Sequence, residues 1–180
     1  MGRRQGFLKV IAMAALLLCP VVSLASDDTL VAGKEGACPG AVGAYLLKRQ
    51  VVIRKQNWVG RMLLTLTVGG NALFTDSAQS GIYGYQPFTD AQGVWECLGE
   101  ADGSGKVRVM LLDFTSSTAR EPEAKIARMD LEAHYDMESG EITGDAILRL
   151  APLTVDPYDV ENFNAPRDYS FSGSRLGFSR

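Results

Sequence analysis

The sequence predicts an all-β domain, a small antiparallel up-and-down barrel of about eight strands, with an open β-sandwich as the alternative. Three observations carry this. KIARMDLEAHYDM, residues 125 to 137, alternates apolar and polar side chains over a dozen positions, the period of a half-buried strand. Seven or eight strand patterns follow one another between residues 42 and 176, most joined by short connections with turn residues. No long amphipathic helix interrupts them, so sequential neighbours pair, and closing the meander removes its edges.

The chain begins MGRRQGFLKVIAMAALLLCPVVSLAS. Arg3, Arg4 and Lys9 precede an apolar run, Val10 to Leu24, and Ser23-Leu24-Ala25 supplies the small residues of a cleavage site. Residues 1 to 25 therefore read as a signal peptide cut near Ala25. The mature chain is expected to be exported, periplasmic or secreted, with no membrane span. Gly6 spoils the spacing of a twin-arginine signal, and Leu18 is too large to precede a lipidated Cys19. Residues 26 to 41 read as a flexible leader, and residues 42 to 180 as one barrel domain.

The whole chain carries 18 basic and 21 acidic residues. The signal holds three of the bases and no acid, so the mature protein is acidic, with 15 against 21. That disfavours nucleic acid or anionic lipid as a partner. Cys38 and Cys97 remain, and an even pair in an oxidising compartment is expected to form a disulfide. Two cysteines and one histidine without a C-x-x-C do not make a zinc set, so no metal and no cofactor are expected.

The strands follow in order. VGAYLLKRQVVIR (42 to 54) is rich in β-branched and aromatic residues, and KQNWVG reads as a turn-like break. RMLLTLT and NALFTDS flank Gly69-Gly70, a two-residue hairpin signal that sets Leu66 against Leu73 and puts Met62, Leu64 and Leu66 on one side. QGVWECL and KVRVMLLDFTS are joined by a turn in EADGSG. In KIARMDLEAHYDM, Ala127, Met129, Leu131, Ala133, Tyr135 and Met137 face in. Its partner EITGDAILRLA turns Ile142, Gly144, Ala146, Leu148 and Leu150 inward. A turn centred on Ser139-Gly140 pairs Met129 with Leu150, Asp130 with Arg149 and His134 with Asp145. After the Pro-rich acidic loop 152 to 166, RDYSFSGSRL closes the domain with Tyr169, Phe171, Gly173 and Arg175 on one face.

No segment carries an interpretable catalytic signature. His134, the one histidine, lies on a charged strand face and reads as solvated. Asp113 shares a face with Val107, Val109 and Leu111; it is either a carboxylate in an apolar interior, with a raised pKa, or a rim residue. Arg175 is expected to close one barrel end by stacking on Trp95 or Trp58. Asp156, Asp159 and Glu161 lack calcium-loop spacing and read as a solvated loop. The loop from residue 77 to 90 is long and aromatic, and Tyr83, Tyr85 and Phe88 are expected to line a mouth or lid.

Three pieces resemble small secreted bacterial proteins with a lipocalin-like (calycin-type) barrel, many of them without known function. LLTLTVGGNALFTDS resembles their early hairpin, DAQGVWECLG with KVRVMLLDF their G-x-W strand and its successor, and YSFSGSRL their closing strand. In true lipocalins the G-x-W lies on the first strand, whereas Gly93-Val94-Trp95 lies mid-chain. The resemblance implies a barrel and suggests an apolar ligand. On a binding reading, for an apolar or amphipathic molecule, the loop and strand facings make Tyr83, Tyr85, Phe88, Asp113 and Tyr135 the candidate ligand-binding residues. Small inward residues (Ala127, Ala133, Gly144, Ala146) leave room for a cavity. Two other classes stand beside the binding protein. One is a barrel-type cyclase or isomerase in which Asp113 or Tyr135 moves a proton; the other is an interaction or structural protein of the cell envelope, its partner unnamed.

Overall fold

Alternation dictates which side chains turn inward, and ladder pairing then wraps the chain into a closed ring. The computed structural model describes residues 38–53, 56–81, 86–164 and 166–177, with only the backbone of 50–53 and 56–58. The expected signal peptide and cleavage site, Cys19, Tyr83, Tyr85 and the Trp58 side chain lie outside the described residues. Eight antiparallel strands run β1 Gly43–Ile53, β2 Gln56–Leu66, β3 Asn71–Asp76, β4 Ala91–Ala101, β5 Ser104–Phe114, β6 Lys125–Asp136, β7 Glu141–Pro152 and β8 Arg167–Arg175. Each pairs with its sequence neighbours, and β8 returns to β1 from Tyr45↔Arg175 to Arg49↔Phe171. The predicted barrel is the observed one.

Inward positions form one core. Met62, Leu64 and Leu66 of β2, Val107, Val109 and Leu111 of β5, and Met129, Leu131 and Ala133 of β6 are all buried in it. Most of the barrel is filled. Gly144, expected to leave space, is glycine because a Cβ there would run into the Glu132 carbonyl and the Phe171 ring. Phe171, the cross-strand partner of Gly144, thus occupies the volume that this glycine vacates, as expected of an eight-strand interior just wide enough for side chains.

Three register expectations are corrected. The first hairpin uses Val68-Gly69-Gly70 as a three-residue loop, with Gly70 at φ 79°, so Leu66 pairs with Ala72 and Leu73 faces outward. In the β6–β7 hairpin the loop is four residues, 137 to 140. The Asp136 carboxylate accepts hydrogen bonds from the Ser139 backbone N–H at 2.7 Å and its hydroxyl at 2.8 Å. Met129 therefore pairs with Leu148, Asp130 with Ile147 and His134 with Thr143, two residues from the expected register. A shift by two keeps every side chain on its face. Arg149 still reaches Asp130 diagonally at 2.7 Å, whereas Met137 lies past the strand end and is exposed. Finally, Gln56 to Gly60 of KQNWVG belong to β2 and not to a turn-like interruption.

One barrel end is plugged. Cys38 forms the expected disulfide with Cys97, and the 3-10 turn Pro39–Ala41 sits inside the ring with Ala41 fully buried. Residues 38 to 41 are thus part of the core, not of a loose leader. The Tyr45 hydroxyl donates to the Ala41 carbonyl at 2.7 Å, and the Gly40 N–H donates to the Glu100 carboxylate at 3.2 Å. Arg175 covers the plug and donates to the carbonyls of Gly40 and Val42. It lies over the Tyr45 ring, 5.7 Å from the centroid, so the expected stack on Trp95 is replaced by one on Tyr45. Trp95 instead donates its indole N–H to the Thr67 carbonyl at 2.9 Å and packs against the core.

The outer surface is divided. Leu46, Val59, Leu63, Leu73 and Val94 are exposed on β1 to β4, while β4 to β7 carry ion pairs such as Lys106–Glu132 and Arg128–Asp130. The disulfide closes a sequence separation of 59 residues, which in the chain-entropy view is worth about 4 kcal/mol. Reduction, or a Cys38→Ser/Cys97→Ser double variant, is expected to lower unfolding free energy in urea by about that amount with the barrel circular dichroism retained. An unchanged midpoint would mean that the plug is held by packing alone.

Candidate ligand site at the barrel mouth

On β1, β3 and β5 an inward apolar run gives way, toward the same barrel end, to a charged side chain. β1 reads Tyr45, Leu47, Arg49; β3 reads Ala72, Phe74, Asp76; β5 reads Val107, Val109, Leu111, Asp113. All three charged residues are buried, with 4%, 4% and 7% of their surface exposed. An unpaired charge so placed is costly, and partners decide how each is tolerated. The Arg49 guanidinium contacts the Asp76 carboxylate at 2.8 Å and lies 4.9 Å from the Tyr169 ring centroid. Gly60, the cross-strand partner of Arg49, makes this possible, since a Cβ there would come 3.0 Å from Arg49 Nε. Asp76 also accepts a hydrogen bond from the Ala78 N–H at 2.8 Å.

Asp113 is different. Its Oδ1 is buried with no hydrogen-bond partner among the described residues. Burial, reinforced by the neighbouring Asp76 carboxylate, pushes its pKa up to about 7. Burial also raises the pKa of Asp76, against the opposing pull of Arg49. Of the two expectations for Asp113, interior carboxylate or rim residue, the structure supports the first while placing it next to the rim.

These groups face a cavity of about 110 Å³. Phe74, Phe88, Ala127, Met129, Leu148 and Leu150 supply its apolar wall. Arg49, Asp76, Asp113 and Thr115 are its buried polar residues, and Glu121, Lys125 and Arg167 stand around them toward the surface. The end of the long loop helps to cover it. Phe88 bridges to Thr115, and the Gln86 side-chain amide donates to the carbonyls of Ser116, Glu121 and Glu123 at 3.2, 3.3 and 3.0 Å. One amide therefore staples the β3–β4 loop to the β5–β6 loop across the mouth.

Of the residues named from sequence, Phe88 and Asp113 are brought together here. Tyr135 is not. Asp113 pairs with Ala127, whereas Tyr135 pairs with Gly105, eight positions further along β6. At roughly 3.3 Å per residue that is about 26 Å away, at the plugged end. There Tyr135 hydrogen-bonds the Glu100 carboxylate, and burial with that bond holds its phenol well above the usual range. It is a poor proton donor to anything at the mouth. His134 is exposed, and Asp156 caps the Tyr158 N–H of its own loop at 2.9 Å. Arg49 and Asp76 were missed by the sequence reading, although both continue the inward period of their strands. Comparison of the chain with protein-family models, curated proteins and solved structures finds no match.

Two stability predictions follow from this charge arrangement. In the unfolded chain Asp113 ionises near pH 4, and in the folded protein near 7. The folded state binds the extra proton between those values, so this group makes stability fall as pH rises from about 4 to 7 and then level off. Asp113→Asn is therefore expected to match the wild type in urea at pH 4 and to exceed it at pH 8, by up to about 4 kcal/mol. A less stable variant at pH 8 contradicts this. Arg49→Met strands the Asp76 carboxylate and should cost about 3–5 kcal/mol. The double variant Arg49→Met/Asp76→Leu should recover most of that loss; strictly additive losses would contradict a coupled pair.

Proposed function

We propose that this is an exported, periplasmic or secreted barrel that binds a small amphipathic molecule in the cavity at its open end. The observation that carries the reading is the Asp113 carboxyl group, buried in an apolar cavity with Oδ1 unpartnered among the described residues. A few polar groups converging in a small apolar pocket are the usual form of a ligand site. The cystine suits an oxidising compartment, and among the described residues no helix is long and apolar enough to cross a membrane. The resemblance of the strand motifs to lipocalin-like barrels favours the same reading.

Size limits the ligand. A cavity of about 150 Å³ accommodates benzene. The 110 Å³ here takes a fragment of a few heavy atoms, or the polar end of a longer molecule whose tail leaves between Phe88 and Arg167. A proton-transfer enzyme is the second reading, favoured by one feature, the Asp113 pKa near neutrality, where acid–base groups work best. Tyr135 is not part of that reading.

Native mass spectrometry of protein purified without denaturant from the organism's own envelope tests the binding reading. The expected result is a retained small molecule that is lost from Leu148→Trp, a variant that fills the cavity and keeps the barrel spectrum. The same adduct on both proteins would put the ligand elsewhere.

A further inference from the structure

We infer that the mouth cavity takes its ligand as a small primary ammonium ion, an alkyl or arylalkyl amine, with the Asp113 carboxylate as counter-ion and the tail on the apolar wall. The inference rests on the binding reading above and names the chemistry of the same site.

Charge balance among the groups facing the cavity leads to it. Arg49 and Asp76 form a buried ion pair, and Lys125 lies 3.3 Å from Glu121 toward the surface. Arg167 lines the outer part and Tyr169 the inner, with the Tyr169 hydroxyl on the Met129 sulfur at 2.6 Å. Against these, Asp113 brings a second buried carboxylate with an oxygen that no described group satisfies. Among the described buried charged groups two carboxylates stand against the guanidinium of Arg49, with Arg167 and the Lys125–Glu121 pair toward the surface. An anionic ligand would add to the negative excess at Asp113. A neutral acceptor could bond only to protonated Asp113. An ammonium ion brings both a compensating charge and three N–H donors. Phe74 and Phe88 add aromatic faces, which suit a cation and its attached methylenes.

The proton balance gives the signature. At low pH the carboxyl proton occupies the site, and each ammonium ion bound displaces it to solvent. Affinity should therefore rise as pH rises through the ionisation of Asp113 and level above it, until the amine itself loses its proton. For a group titrating near 7, the gain between pH 5.5 and pH 8 is about 30-fold.

The test uses n-butylamine, 1-butanol and butyrate as probes, followed by methyl NMR of Ala127, Met129, Leu148 and Leu150 in wild type and Asp113→Asn. Circular dichroism checks that the variant is folded. The expected result is n-butylamine binding that strengthens about 30-fold from pH 5.5 to 8, releases a proton below pH 7, and loses both its strength and its pH dependence in the variant. Binding of 1-butanol or butyrate as tightly as the amine, or an amine affinity that survives Asp113→Asn, would overturn the ammonium inference and leave the cavity reading standing. Methyl resonances unmoved by all three probes would overturn both.

Discussion

Burying charge at one end of an otherwise apolar barrel is the constraint from which the rest of this structure can be understood. Removing a carboxylate or guanidinium from water costs several kcal/mol unless partners compensate. Arg49 and Asp76 compensate one another at 2.8 Å, on strands separated only by β2. Gly60 on that intervening strand leaves the space the guanidinium needs. Asp113 has no such arrangement, and its carboxyl group answers burial by holding its proton to near neutral pH. A chain selected for stability alone would favour a leucine there, in keeping with Leu111 two residues before it. The energetic cost is concentrated where the barrel opens, as at sites kept for binding rather than for folding.

The opposite end shows how the same fold behaves where the ring is plugged. Leader residues 38 to 41 fill the ring, the cystine ties them to β4, and Arg175 lies across them. Polar groups there are matched: Tyr45 to Ala41, Gly40 to Glu100, and Tyr135 to Glu100. Between the ends, Phe171 and the aliphatic columns pack the interior into one core. That asymmetry makes the barrel a cup with a shallow, charged well.

Much of this was legible in the chain. Alternation over β6 and β7 placed every inward residue from Ala127 to Tyr135 correctly, because a pleat has only two faces. Register was harder. The four-residue loop after Asp136 depends on a side chain bonding to Ser139, a contact that turn composition does not reveal, so pairing moved by two residues while the faces held. The small inward residues suggested a hollow, but at Gly144 the volume is taken by Phe171, its cross-strand partner on β8, a pairing that only the closing strand's register reveals. Asp113 stood out because it ended an apolar column. Arg49 and Asp76 follow apolar inward residues in the same way, yet only closure of the ring shows that all three charged groups lie toward one end. Tyr135 was grouped with Asp113 because both face inward; strand length puts them at opposite ends.

The most direct measurement is the carboxyl ¹³C titration of aspartate-labelled protein, with Asp113→Asn used to assign the resonance. A buried carboxyl group kept protonated at the mouth predicts one aspartate titrating near pH 7 that disappears in the variant. If every aspartate titrates below about pH 5, Asp113 is solvated or paired, and the charged well that defines the site does not exist.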